Sequence, residues 1–271
     1  MTPENIAAQF VQARLAGRSI PDYPGGQVPV DLPSAYRCQE SAIDRWPDHI
    51  RGWKVARIGP QWRTQYDEER LIGPVFSRNV HAIKDGEIAV CPVFQGGLAA
   101  VEAEIGLFVN ADAPADKTDW TPTEAASLVR SMHAGVEMAG SPLATLNDLG
   151  PGAVVSDFGN NWGVIAGPEI PDWRDHQNLE AEVFIEGKSV GRAPIAIPET
   201  PLSAFAFALN KAAARGRPLR AGAYISTGLI TGVHDIRAGE SSRITFGPYG
   251  EIQLRAVPAL RYVPVQDALV K

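Results

Sequence analysis

The chain has 271 residues, 45% of them hydrophobic and 21% charged, which is enough apolar material for one sizeable core and argues against disorder. A formal net charge of −6, with no cluster of Lys and Arg, argues against a nucleic-acid role resting on a basic surface. Two cysteines in separate segments, Cys38 and Cys91, argue against a disulfide scaffold, and no run approaches the roughly 18 apolar residues of a membrane helix, so a reduced, cytoplasmic, soluble protein with no membrane partner is expected.

Thr2 followed by Pro3 reads as a helix cap and first helical position, and Ile6, Phe10, Val11 and Leu15 recur at helical spacing until Gly17. Breakers from Pro21 to Gly26 separate this helix from a second, expected over 34–45. Residues 1–48 thus read as a helical segment packed on the main body or on another subunit, and 49–271 as a β-rich body. Strand signals cover 52–56, 86–93, 98–109, 162–167 and 181–185. Glu186-Gly187-Lys188 and Gly247-Pro248-Tyr249-Gly250 read as hairpin turns. Two helices interrupt the strands. Thr121-Pro122-Thr123-Glu124 is a capping box that opens a helix carrying Leu128, Val129 and Met132 on one stripe, and a helix over 203–214 is stopped by Gly216 and Pro218. Without a Gly-rich strand-to-helix turn or a regular βαβ rhythm, the pattern predicts an α+β fold with a large mixed or antiparallel sheet.

The chemistry concentrates in Val101-Glu102-Ala103-Glu104-Ile105. Residues two apart on a strand point the same way, so Glu102 and Glu104 share a face with Cα atoms about 7 Å apart, at a rise of roughly 3.3 Å per residue. Such a pair is either the solvated face of an amphipathic strand or a site that wants a cation between the carboxylates. Apolar residues on both sides favour the second, because buried carboxylates need a partner. Glu137, just past the capped helix amid small and apolar residues from Ala134 to Gly140, is either a third candidate ligand or a helix-end carboxylate on the surface. Hard oxygen ligands with no adjacent His or Cys favour Mg²⁺ or Mn²⁺ over zinc. His133, four residues before Glu137, reads as structural or exposed rather than catalytic.

With Gly52-Trp53-Lys54-Val55, the Glu-x-Glu segment, Val136-Glu137, Val155-Ser156-Asp157 with Asn160-Asn161, and Leu219 through Ser226-Thr227-Gly228, the sequence resembles the 2-keto-4-pentenoate hydratases and 4-oxalocrotonate decarboxylases of the fumarylacetoacetate hydrolase superfamily. The resemblance covers roughly residues 30–256. It implies a mixed β-sheet roll or sandwich with flanking helices, a divalent metal on Glu102, Glu104 and Glu137, and a small-molecule 2-oxo or 2-hydroxy-dienoic acid as partner. It further implies Lys54 and Asp157 as catalytic groups, and Asn160, Asn161, Ser226, Thr227 and Gly228 beside the substrate. A homo-oligomer is implied as well. Arg57, after the Lys54 segment, is either an anion contact or a solvent-facing arginine, and Lys54 itself is either a proton shuttle with a lowered pKa or a lysine snorkelling at a strand edge. Two stretches depart from the family pattern: Arg78 and His81 stand where relatives carry acids, and Gly140-Ser141-Pro142 stands where an acid followed by Ser-Arg is common. Hydration of a 2-hydroxy-2,4-dienoate is the expected reaction. Decarboxylation of a 4-oxalocrotonate-like acid, hydrolysis of an acylpyruvate and non-catalytic binding of a 2-oxo acid are the alternatives.

Overall fold

Two capped helices come first in the protein, for which a computed structural model describes residues 1–84, 86–175 and 177–263. Helix α1 (Pro3–Ala16) starts where the Thr2 hydroxyl accepts from Asn5 N and ends at Gly17, whose φ of 63° closes it. Helix α2 (Leu32–Arg45) starts at Asp31, whose carboxylate accepts from Ser34 N at 2.7 Å. That is two residues before the expected start, because the aspartate is the cap and Pro33 fits the first turn.

Among the described residues thirteen strands follow: β1 (Ile50–Arg57), β2 (Arg70–Phe76), β3 (Val80–Ala82), β4 (Ile88–Val93), β5 (Leu98–Val109), β6 (Val129–Ser141), β7 (Asn161–Glu169), β8 (Gln177–Ile185), β9 (Lys188–Ile197), β10 (Tyr224–Ser226), β11 (His234–Asp235), β12 (Ser241–Thr245) and β13 (Glu251–Pro258). Three helices lie between them, α3 (Pro122–Ala125), α4 (Pro151–Ser156) and α5 (Glu199–Ala214). One sheet runs β2-β1-β10-β5-β6-β7-β3 with β11 also on β5, and the other runs β4-β13-β12-β8-β9. β1 is parallel to β10, β3 to β7 and β4 to β13, whereas the long pairs β5·β6 and β6·β7 are antiparallel. This is the expected α+β arrangement with mixed sheets. Residues 264–271, the end of the expected body, lie outside the described residues.

One cluster of buried side chains joins Ile105 and Leu107 of β5, Met132 and Val136 of β6, Val183 of β8 and Leu254 of β13, and it extends to Ala7, Val11 and Leu32 of the two leading helices. Each such aliphatic side chain contributes about 1.5–3 kcal/mol when fully buried. The leading helices therefore share the core of the sheets.

Two expectations are corrected. The capping box at Thr121 forms, with Glu124 answering the Thr121 backbone N–H at 2.8 Å, but the helix stops at Ala125 and passes through one 3₁₀ turn into β6 at Val129. Leu128, Val129 and Met132 fit a helical stripe, yet β6 has strand partners on both sides, and a central strand's ladder outweighs the preference of one short apolar run. Helix α5 begins at Glu199 rather than Ser203, since Pro201 is tolerated in a first turn.

Arg14, near the end of α1, is wholly buried. Its Nε donates to Asp157 Oδ1 at 2.5 Å and its Nη2 to Asp157 Oδ2 at 2.9 Å, while the carbonyls of Gly140 and Asn161 accept from Nη2 and Nη1. The Phe158 and Trp162 rings flank the guanidinium at 5.2 and 5.5 Å. Ser141 Oγ donates to Asp157 as well, at 2.5 Å. This clamp borders Phe158-Gly159-Asn160, whose φ values of 55°, 68° and 58° are costly for the two non-glycine residues. Arg14→Met strands a buried carboxylate, so the expected loss is about 3–5 kcal/mol, measured by denaturant unfolding; Arg14→Lys, with no bidentate fork, recovers only a small part of it.

Candidate metal centre and active site

β5 and β6 pair so that Glu102 stands directly across from Glu137, and Glu104 across from Gly135. With period-two alternation, Glu102 and Glu104 share one face of β5 while Val101, Ala103 and Ile105 occupy the other. All three acids are buried, at 4, 1 and 0% exposure, and each can place a carboxylate oxygen within 4.8 Å of the others. Opposed like charges destabilise a sheet, so this juxtaposition needs a compensating cation.

Lys54 on β1 supplies one. Its Nζ lies 3.2 Å from Glu137 Oε2 and donates to Asn160 Oδ1 at 2.9 Å. Asn160 Nδ2 donates in turn to Asn147 Oδ1, and Asn161 Nδ2 donates to Glu137 Oε1 at 2.8 Å. Ser226, on β10 beside β5, donates its hydroxyl to Glu104 Oε2. Glu104 Oε1 is left buried with no hydrogen-bond donor. An orphaned carboxylate oxygen amid three converging acids is the donor set that a hard divalent cation takes.

The charges show the same deficit. Burial, then the Glu137 charge, push the Glu102 carboxyl up to about 8 against the opposing pull of the Lys54 ammonium, and burial with Glu137 and Glu102 pushes Glu104 well above the usual carboxylate range. For Lys54 burial pulls down, but Glu137, Glu102 and Glu104 together outweigh it and the net shift is upward. In the metal-free protein the carboxylates around Lys54 stabilise its ammonium; the lowered pKa of the sequence reading is that of a lysine beside a bound cation.

The other expected site residues divide. Asp157, expected to act on substrate, has both carboxylate oxygens taken by Arg14 and Ser141 and is 1% exposed, so it braces the 158–161 segment. Thr227 Oγ1 donates to Ile105 O at 2.7 Å, and Gly228 adopts a φ of 103° that other residues rarely tolerate. Arg57 is exposed at the end of β1 and lines a cavity of about 260 Å³ with Lys54, Glu102, Asn160 and Trp62. A second cavity of about 510 Å³ lies against Glu102, Arg57 and Thr227 and adds Arg70 and Thr200. His133 is held by Gly167 O and Ser131 Oγ, in keeping with a structural role. The two departures sit apart from the acids: Arg78 stacks on Tyr262 at 4.4 Å and His81 is exposed, whereas Gly140 and Ser141 serve the Arg14 clamp.

Sequence reasoning missed Arg14, Arg70 and Tyr224. The Tyr224 ring runs across Gly106 and Gly135, and a Cβ on Gly106 would come within 1.8 Å of its hydroxyl oxygen. Gly106 is two residues beyond Glu104, so the side-chain-free position on the glutamate face was the available signal for a neighbour filling it.

No protein-family model matches the chain, and no curated protein matches it either. By structure it superposes on 4-oxalocrotonate decarboxylase from Pseudomonas putida G7 complexed with magnesium and adipate, at TM-score 0.76 and 20% identity over 94% of this chain and 97% of that one. The same enzyme complexed with calcium and acetate gives 0.75 and 21% over 94% and 97%. Fumarylpyruvate hydrolase from Pseudomonas aeruginosa in complex with Mn²⁺ and pyruvate gives 0.55 and 16% over 78% and 91%. The chain shares their fold, which is the fold that the sequence resemblance implies.

Metal has to displace protons from Glu102 and Glu104, so affinity for Mn²⁺, measured by calorimetry, is expected to rise as pH goes from 6 to 8. In the metal-free protein these raised carboxyls bind protons that the unfolded chain releases, so their contribution to stability falls as pH rises from the ordinary carboxylate value of 4.5 toward about 8. Glu104→Gln is expected to abolish Mn²⁺ binding while raising the metal-free melting midpoint at pH 8 by about 2–6 °C, the shift that 1–2 kcal/mol gives in a domain of this size.

Proposed function

We propose that the protein is a divalent-metal-dependent lyase of the 2-keto-4-pentenoate hydratase and 4-oxalocrotonate decarboxylase family, and that it adds water to a 2-hydroxy-2,4-dienoate to give a 4-hydroxy-2-oxo acid. The observation that carries this reading is the buried Glu102-Glu104-Glu137 cluster, with an orphaned oxygen on Glu104 and Lys54 against it. Glu102, Glu104 and Glu137 would hold Mg²⁺ or Mn²⁺. Such an ion, when bound by carboxylates alone, keeps open positions for a 2-oxo acid and stabilises negative charge that develops on the C2 oxygen.

The chain's own residues do the rest. Lys54 Nζ, pinned between Glu137 and Asn160, carries the protons nearest to the acids and is the group that moves a proton to or from the substrate carbon chain. Asn161 and Ser226 hold Glu137 and Glu104 in place by donating to them. Trp62 and Leu229 supply apolar wall beside Lys54 and Glu102. One water is gained: its hydroxyl goes to C4 of the dienoate, and its proton and the proton that the C2 hydroxyl gives up in becoming a ketone go to C3 and C5.

Decarboxylation is the second reading, favoured by the superposition on a 4-oxalocrotonate decarboxylase. It uses the same groups, since loss of CO₂ from a conjugated 2-oxo acid also leaves negative charge on the C2 oxygen.

Freshly generated 2-hydroxypenta-2,4-dienoate should lose its ultraviolet absorbance with Mg²⁺ or Mn²⁺ and protein, and the product should gain the mass of one water. Lys54→Met is expected to lower kcat by about 10²–10⁴-fold, the usual contribution of general acid–base catalysis. Metal-bound protein that leaves the dienoate untouched and releases CO₂ from 4-oxalocrotonate would move the assignment to the decarboxylase.

A further inference from the structure

Lys54 reaches Asn160, and Asn160 reaches Asn147, in a line of side chains that all border the cavity of about 260 Å³. The lysine fixes the order of donors and acceptors along that line. An ammonium has three donors and no acceptor, so the Asn160 atom facing Lys54 Nζ at 2.9 Å has to be the carbonyl oxygen Oδ1. Asn160 Nδ2 is then on the far side, where it donates to Asn147 Oδ1 at 3.1 Å. Asn147 in turn presents its oxygen to Asn160, and its own Nδ2 makes no hydrogen bond among the described residues.

Asn160 is 6% exposed and sits at a φ of 58°, with its backbone N–H donating to Asp157 O at 2.9 Å. A held backbone does not settle the amide, because the terminal torsion of an asparagine is broad and its two ends are alike in shape. Turned the other way, Nδ2 would face the ammonium donor to donor, and Lys54 would keep only Glu137. An acceptor on the far side of Asn160 opposes that turn, and Asn147 Oδ1 is the acceptor that stands there. Asn147 lies in the loop between β6 and α4, and the loop is built to hold it: Gly150 N donates to Asn147 O at 3.1 Å and Leu149 N to Thr145 O at 3.1 Å. Leu143 and Leu146, both wholly buried, pin the same loop against Ile6 and Phe10 of α1.

We propose that Asn147 is a positioning residue for the lyase reaction: its side-chain oxygen keeps the Asn160 amide turned with Oδ1 on Lys54, and so holds Lys54 Nζ in the place from which it moves a proton. The inference rests on the function proposed above for what Lys54 does, and on the hydrogen bonds alone for what Asn147 does.

The test compares Asn147→Ala, which removes the oxygen, with Asn147→Asp, which keeps an acceptor and loses the amide donor. In turnover of 2-hydroxypenta-2,4-dienoate with Mn²⁺, Asn147→Ala is expected to lower kcat by about 10–100-fold, the scale on which a displaced catalytic group costs rate, with KM nearly unchanged. Asn147→Asp is expected to restore most of the kcat. A raised KM at unchanged kcat makes Asn147 a substrate contact through Nδ2 and overturns the inference, as does an equal loss of kcat in both variants. Crystal structures of the two variants give a readout that needs no turnover: Lys54 Nζ is expected to leave Asn160 in Asn147→Ala and to keep its place in Asn147→Asp. An undisplaced Lys54 in Asn147→Ala overturns the inference and leaves the function standing. Wild-type protein that turns over neither the dienoate nor 4-oxalocrotonate removes the function, and the crystal structures still decide whether Asn147 holds Asn160 and Lys54.

Discussion

Glu102 and Glu137 face each other across the β5·β6 ladder, and with Glu104 they set three buried carboxylates against one ammonium, Lys54. Burial makes this expensive, because a carboxylate taken from water without a partner either takes up a proton or destabilises the fold. The neighbourhood is arranged around the deficit. Ser226 donates to Glu104, Asn161 to Glu137, and Lys54 is steadied by Asn160. Glu104 Oε1 and Glu137 Oε2 remain without a hydrogen-bond donor, the second with the Lys54 ammonium 3.2 Å away, and the carboxyls of Glu102 and Glu104 hold protons more tightly than usual. Stability surrendered at such a cluster is stability available to a cation.

A second buried charge, Arg14, works in the opposite way. Its guanidinium is saturated by Asp157 and by the carbonyls of Gly140 and Asn161, and three aromatic rings surround it. The two networks meet in the segment from Asp157 to Asn161: Arg14 grips the Asp157 side chain and the Asn161 carbonyl, while the Asn160 and Asn161 side chains reach Lys54 and Glu137. The left-handed turn through Phe158, Gly159 and Asn160 brings the first of those amides to Lys54 and the second to Glu137. A closed ion pair in the leading helix thus supports the open acidic cluster in the sheet.

Much of the fold was legible. Thr2 and Gly17 bracket α1 as caps should, the strand at 98–109 has the expected bounds, and Glu186-Gly187 makes the hairpin between β8 and β9 with positive φ at both residues. Short-range signals carried these because the caps and turns are satisfied within a few residues of sequence. The β6 strand was misread as a helix, since Val129 and Met132 fit both periods and only the flanking strands decide between them. In the site, Glu102 and Glu104 announced themselves as acids within an apolar strand, and Lys54 and the two asparagines followed from resemblance. Arg14 and Arg70 were illegible for a common reason: an arginine in a helix or after two glutamates reads as solvated surface until a distant segment buries it.

The sequence by itself determined the period of β5, and hence that Glu102 and Glu104 share a face, because side-chain alternation is a local property of an extended chain. It also determined the helix caps and the turn chemistry, which close within one or two residues of backbone. Only the tertiary structure decided which acid stands opposite Glu102, that Asp157 is spent on Arg14, and that Arg57 and Arg70 share a cavity with Glu102. Those facts depend on strand register and on contacts across more than a hundred residues, such as the 143 that separate Arg14 from Asp157. Register is set by how whole faces pack, which no local pattern contains.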